Sequence, residues 1–284
     1  MKDVSISKFQ GDSLVSQLGS LYKAFSGSEA GEDLNFDFSS VRFVSPLLLL
    51  PISAYINSTN SSFKIDQGSD TGCYLNTVIF PKGVESVSSF LQKIQKNKNY
   101  IPISILKKDD VAARDKLEAL FSEQICRVLG NISGAQNAIA YPISELVTNI
   151  FEHSEEEKGY VFSQFYPAKN YLEISIVDRG RGFSKTYEDE KGIVLSDSDS
   201  IIEAMEGHSV KDKERGFGLR TSKRVICEGL QGGGFILISG SSALVAENGR
   251  ENLVELPDFY WQGAIISYRI PKPKGKIDIS QYLE

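Results

Sequence analysis

A carboxylate, a carboxamide and a second carboxylate fall at i, i+4 and i+7 within residues 143–154 (ISELVTNIFEHS). They are Glu145, Asn149 and Glu152. Ile143, Leu146, Val147 and Ile150 take the intervening positions. The spacing therefore predicts one helix with an apolar face and a polar stripe. On that stripe Glu145 could act as a general base one turn from an amide oxygen able to ligate a hard cation. Mg²⁺ prefers oxygen ligands and keeps several waters, so one Asn oxygen plus nucleotide phosphates would suit it. On spacing alone a solvated helix face is the favoured reading.

Two further groups lie downstream. In residues 174–183 (ISIVDRGRGF) an apolar run ends at Asp178 and meets Gly180 and Gly182. A carboxylate at a strand end can accept a hydrogen bond from an exocyclic amine such as that of adenine, and glycines let backbone and ligand approach closely. An ordinary turn would read the same. A dinucleotide fingerprint would not, because its third glycine position is Lys185. In residues 214–219 (ERGFGL), Gly216 and Gly218 precede a helical pattern. Backbone N–H groups exposed there would receive an anion, and Lys213, Arg215 and Arg220 add positive charge. A tight entry turn into a helix needs no more than this.

These groups require a scaffold of alternating periodicities. Helices are expected over 109–129, 136–153 and 217–228. Strands are expected over 160–165, 171–177, 235–239, 244–247 and 264–270, the first two and the next two as hairpins. Pro142 should kink the second helix or delay its start. Between 183 and 215 the chain is rich in Gly, Asp, Ser and Glu, and Ser200 with Glu203 forms a capping box for a short helix. The tail from 272 is polar and expected to be mobile. Upstream, strands over 4–9, 34–38 and 63–65 alternate with helices over 12–25, 46–55 and 84–94. That order suggests a small open sheet backed by helices.

Composition narrows the class. The chain has 284 residues, enough for two domains and a sizeable core. A polar stretch at 93–100 marks a seam near residue 98. Residues 1–98 carry no net charge, so the whole formal charge of -6 lies in residues 99–284. An acidic balance argues against a general nucleic-acid binder. Cys73, Cys126 and Cys227 are far apart with no CxxC pair, which argues against zinc and against a disulfide scaffold. The longest apolar run, 46–52, is too short to span a bilayer, and the opening residues show no charged n-region with an apolar core, so no signal peptide is expected. A cytoplasmic location without membrane attachment is expected.

The order E-x-x-x-N on a helix, D-x-G-x-G after a strand, a long variable segment and G-x-G-L opening a helix resembles the GHKL ATPase superfamily. That superfamily includes histidine kinases, type II topoisomerase ATPase domains and MutL proteins. With Glu145, Asn149 and His153 at successive four-residue steps, it looks closest to the anti-sigma-factor serine kinases. The resemblance covers roughly residues 105–271. It implies an α+β chain whose C-terminal part, 99–284, is a GHKL (Bergerat) α/β sandwich with a mixed sheet. It implies ATP and Mg²⁺ as cofactors, with Asn149 on the metal and Glu145 and Arg215 as catalytic residues. Asp178, Gly180 and Gly182 would then lie at adenine, Gly216, Phe217, Gly218 and Leu219 at phosphate, and residues 183–215 would be the ATP lid. His153 is expected to be structural, and Ser239 or Ser241 to lie behind the base. Residues 35–50 (NFDFSSVRFVSPLLLL) weakly resemble a STAS-type domain, so 1–98 reads as a smaller interaction domain. There Ser45-Pro46 replaces the usual Asp-Ser pair. The implied partners are ATP or ADP and a regulator or substrate protein, and a homodimer is compatible. The implied function is ATP hydrolysis or phosphoryl transfer to a protein Ser or Thr. The alternative is a nucleotide-gated interaction module with negligible turnover.

Overall fold

The computed structural model describes residues 1–7, 11–94, 99–130, 132–207, 218–230 and 232–283. The N-terminal unit alternates β1 (Lys2–Ser5), α1 (Leu14–Phe25), β2 (Leu34–Asp37), α2 (Pro46–Ser58) and β3 (Ser62–Lys64), followed by α3 (Asp70–Thr77) and α4 (Val87–Lys93). Its three strands pair in parallel in the order β1-β2-β3. The rest comprises β4 (Tyr100–Lys107), α5 (Val111–Leu129), α6 (Ala135–His153), β5 (Lys158–Tyr166), β6 (Tyr171–Val177), α7 (Gly182–Lys191), α8 (Asp197–Met205) and α9 (Gly218–Arg224). A π turn follows, then β7 (Gly234–Gly240), β8 (Ser242–Glu247), β9 (Arg250–Glu255) and β10 (Trp261–Pro271). Seven strands form one sheet in the order β4-β5-β6-β10-β7-β8-β9, with every pair antiparallel. The chain is α+β, with parallel pairing in the small sheet and antiparallel pairing in the large one.

Both faces of the large sheet are covered, which explains why its central strands read as nearly continuous apolar runs. On one face Leu172, Ile174, Ile176, Phe235, Leu237, Ile266 and Tyr268 pack against α5, α6 and α9. On the other, Phe162, Val177, Ile236, Ile238 and Ile265 pack against α1, α2 and the small sheet. Helix α2 lies between the two sheets, and its residues from Pro46 to Tyr55 are all buried. A helix that is apolar all round belongs in such a place. The N-terminal unit thus shares a core with the second face of the large sheet.

Several elements differ from their sequence expectation. Strands β4 and β9 and helix α3 were not expected at all. β4 is an edge strand whose register shifts between Ile101 and Ser104, around Pro102. Proline in a strand is confined to such edges and bulges, and it masks the period. Segment 183–215 is not structureless as far as residue 207, because α7 and α8 fill most of it. The cap of α8 is Ser196, whose hydroxyl accepts from the Asp199 amide, and not Ser200. Pro142 lies inside α6 and does not delay its start. The tail is not loose: Ile277 and Ile279 join the helical-side core, and the Ile277 amide donates to Ser133 O.

Candidate functional site

Helix α6 turns Ile143, Leu146, Val147 and Ile150 into the core, and its polar stripe faces the other way. Beside it opens a cleft with about 820 Å³ of empty space, open solvent included. Leu146, Asn149, Ile150 and His153 line it from α6, and Ala264 and Ile266 from β10. The loop after β6 contributes Asp178, helix α7 Gly182, Phe183, Thr186 and Tyr187, and the start of α9 Gly218 and Leu219. The walls are mostly apolar with a few convergent polar groups, the usual character of a small-molecule site.

Asp178 is the most constrained of these groups. It is 4% exposed. Its amide donates to Ala264 O at 3.0 Å, its Oδ1 accepts from the Gly180 amide at 2.9 Å, and its carbonyl accepts from Trp261 Nε1 at 3.1 Å. Burial pushes its carboxyl up to about 7, against the lowering effect of the Gly180 and Ala264 hydrogen bonds. Glycines make this packing possible. A Cβ on Gly180 would sit 2.3 Å from Ser154 O, and one on Gly263 would sit 2.5 Å from Asp178 O. Gly182, at φ +74°, leads into α7, where the Phe183 amide donates to Ser239 Oγ at 3.2 Å. Gly180→Ala should therefore cost about 1–3 kcal/mol of fold stability, the scale of an overpacked contact against backbone. Denaturant unfolding measures this, and an unchanged midpoint would mean that the loop yields freely.

Glu145 stands behind Gly218 and not on the cleft surface. A Cβ on Gly218 would fall 2.2 Å from Glu145 Oε2, so the carboxylate lies directly against this glycine. Desolvation, and then the like charge of Glu152, raise its carboxyl above the usual range. The geometry thus brings together Asn149, Asp178, Gly182, Gly218 and Leu219 around one cleft, with Gly180 and Glu145 immediately behind it. Arg215, Gly216 and Phe217 lie outside the described residues, as do Lys213 and His208. His153 lines the cleft, and its backbone carbonyl accepts from Arg181 Nε at 2.8 Å.

Other cleft residues had no sequence signal. Thr186 and Tyr187 lie in a stretch that shows no apolar period, and Ala204 reaches the site only because α8 is pinned. Ser241 does the pinning, its amide and hydroxyl both donating to Asp197 Oδ2. Ser239 bonds Gly263 O and the Phe183 amide. Trp261 is fully buried and holds the Asp178 carbonyl from behind.

Among the described residues no group of three His, Cys, Asp or Glu side chains could hold a metal ion. No described helix is long and apolar enough to cross a membrane. No curated protein and no solved structure matches the chain. Residues 134–260 match the family described as histidine kinase-, DNA gyrase B-, and HSP90-like ATPase. The matched segment opens one residue before α6 and closes one residue before β10, so it holds every described cleft residue except those of β10. Over residues 134–260 the chain therefore carries a GHKL-type ATPase domain.

Proposed function

We propose that this protein is a Mg·ATP-binding regulator whose ATPase-type domain hydrolyses ATP or passes its terminal phosphoryl to a protein Ser or Thr. The observation that supports this most is Asp178. Its buried carboxylate accepts from the Gly180 amide and its backbone is held by two further hydrogen bonds at the wall of a largely apolar cleft, and the same cleft holds Asn149 and Gly218. An exocyclic amine is the partner such a carboxylate lacks. The donor set also fits the metal: Asn149 offers one neutral amide oxygen and, among the described residues, no acidic cluster competes, so phosphates and water would complete the shell. A cation held there neutralises charge on the phosphates when bound. Glu145 is one turn away and orients or deprotonates the attacking water or hydroxyl. In this reading Arg215 adds charge at phosphate, Gly216 and Phe217 join Gly218 and Leu219 in contacting phosphate, and the domain extends over 99–284. The kinship with anti-sigma-factor kinases, the STAS-like character of residues 1–98 and a protein partner belong to the same proposal. A nucleotide-gated module with slow turnover is the second reading, favoured by the packing of the N-terminal unit behind the Asp178 loop.

Calorimetry with a non-hydrolysable Mg·ATP analogue tests the first claim. Asp178→Asn should weaken binding by about 1–3 kcal/mol, the worth of a hydrogen bond to a charged group. The amine donates to the carboxylate and not to the acid, so affinity should rise with pH through the range near 7. Between pH 6 and pH 8 the gain should be about tenfold. Folded protein that binds no nucleotide would end the proposal.

A further inference from the structure

Arg179 follows Asp178 directly, is buried, and does not line the cleft. Among the described residues its guanidinium makes no ion pair. It lies on two aromatic faces instead, 4.5 Å from the ring centre of Tyr55 and 5.0 Å from that of Trp261. Tyr55 belongs to α2 of the N-terminal unit, and Trp261 opens β10. Phe25 of α1 sets its edge against both rings, at 5.2 Å and 5.5 Å. Tyr55 is itself tethered, its hydroxyl donating to Glu32 O at 2.7 Å. The N-terminal unit also grips the chain leading into β10. Tyr22 donates to Pro257 O at 2.9 Å, and the Gly27 amide donates to Asp258 O at 2.6 Å.

A buried cation is costly to place unless something compensates it, and an aromatic face does so only at close range and in one orientation. The clamp therefore fixes where the Asp178–Arg179 peptide can be. Trp261 is shared between the clamp and the hydrogen bond to the Asp178 carbonyl. A shift of α2 or α1 would pass through Trp261 to the carboxylate with no flexible segment between.

We propose that Tyr55 and Trp261, acting through Arg179, are positioning residues for Asp178, so that the N-terminal unit sets how tightly and how selectively the cleft holds an adenine nucleotide. This rests on the reading of the cleft as a nucleotide site. None of the three residues touches the nucleotide in it. Their effect is on the placement and charge of the group that does. The charged and titratable groups around Asp178 are few: Glu156 from the α6–β5 loop raises its proton affinity, and Arg179 lowers it. Tyr55, Tyr160 and Glu156 surround Arg179 in turn.

The test uses the full chain and four variants: Tyr55→Ala, Tyr55→Phe, Arg179→Met and Arg179→Lys. Affinities for non-hydrolysable ATP and GTP analogues are measured across pH, alongside melting curves without nucleotide. Tyr55→Ala and Arg179→Met should lose about tenfold or more of the ATP preference, the cost of misplacing one buried hydrogen-bonding group. Tyr55→Phe and Arg179→Lys should retain most of it. Arg179→Met should also move the pH midpoint of ATP binding upward, because removing a cation beside a carboxylate disfavours its ionised form. Arg179→Lys should restore the midpoint, which a packing role alone would not do. If Tyr55→Ala fails to fold, the Arg179 pair decides the matter. A parent that binds no nucleotide overturns both readings. A parent that prefers ATP, with folded variants that keep its preference and midpoint, overturns this one alone.

Discussion

Glu145→Ala should lower single-turnover ATP hydrolysis by about 10²–10⁴-fold, the usual contribution of a positioned general base. Nucleotide affinity should stay within about twofold, since the carboxylate would act on the nucleophile and not on the nucleotide. Glu145 lies on the polar side of α6, one turn from Asn149, with its Oε2 against the backbone of Gly218. Desolvation and Glu152 raise its proton affinity. That shift brings a carboxylate toward neutral pH, where a base is most effective. Asn149→Ala should behave in the opposite way, weakening Mg·ATP binding itself. Gly218→Ala supplies an independent arm. Its added methyl must push the Glu145 carboxylate aside, so turnover should fall with Glu145 still present. Rapid-quench hydrolysis and calorimetry on the three variants separate these effects. Should Glu145→Ala turn over as fast as the parent, the base is elsewhere and the gated module becomes the better account.

The parts of the site that could be read from sequence are those on single, regular elements. Helix α6 carries Glu145 and Asn149 at a fixed spacing, and Asp178 ends a strand whose bounds the alternation gave to the residue. What lay hidden depends on contacts between distant elements. Trp261 is the clearest case: nothing in residues 257–261 indicates that its indole holds the Asp178 carbonyl. Thr186 and Tyr187 belong to a helix whose apolar positions are too few to leave a 3.6-residue period, so that stretch looked like a polar loop. Strand β4 was lost for a local reason, a proline at a bulge, and β9 because every one of its residues is exposed. The packing of the N-terminal unit onto the large sheet was hidden for a third reason. In β6 the unit-facing positions include Glu173 and Ser175 beside Val177, and in β10 Ser267 and Arg269 beside Ile265. A sheet face carrying a carboxylate and a guanidinium reads as solvated until the partner is seen.

Those two charges give the largest expected effect on stability. Arg269→Met should destabilise the fold by about 3–5 kcal/mol near neutral pH, the cost of leaving one member of a buried pair alone. Glu173 is 1% exposed, and its Oε1 accepts from Arg269 Nη2 at 2.7 Å, from Arg269 Nε at 3.1 Å and from Gln17 Nε2 at 2.5 Å. Arg269 also stacks on Tyr171 at 4.1 Å and donates to the carbonyl of Asp12, so the pair ties the N-terminal unit to the centre of the sheet. Burial holds the Glu173 carboxyl above its usual range even with the guanidinium present. Without Arg269 it must rise further. A carboxyl raised in the folded state favours folding while protonated and loses that contribution as pH climbs through its folded value. The stability gap between parent and Arg269→Met should therefore widen with rising pH and narrow toward acid, where Glu173 is neutral in both. Glu173→Leu with Arg269→Met removes both charges, and its cost should be far smaller than that of the single change. Urea unfolding of the parent, the single variant and the double variant at several pH values measures all three expectations. A gap that is constant with pH, or a double variant no better than the single, would mean that Arg269 acts through its packing on Tyr171 and not through the buried charge.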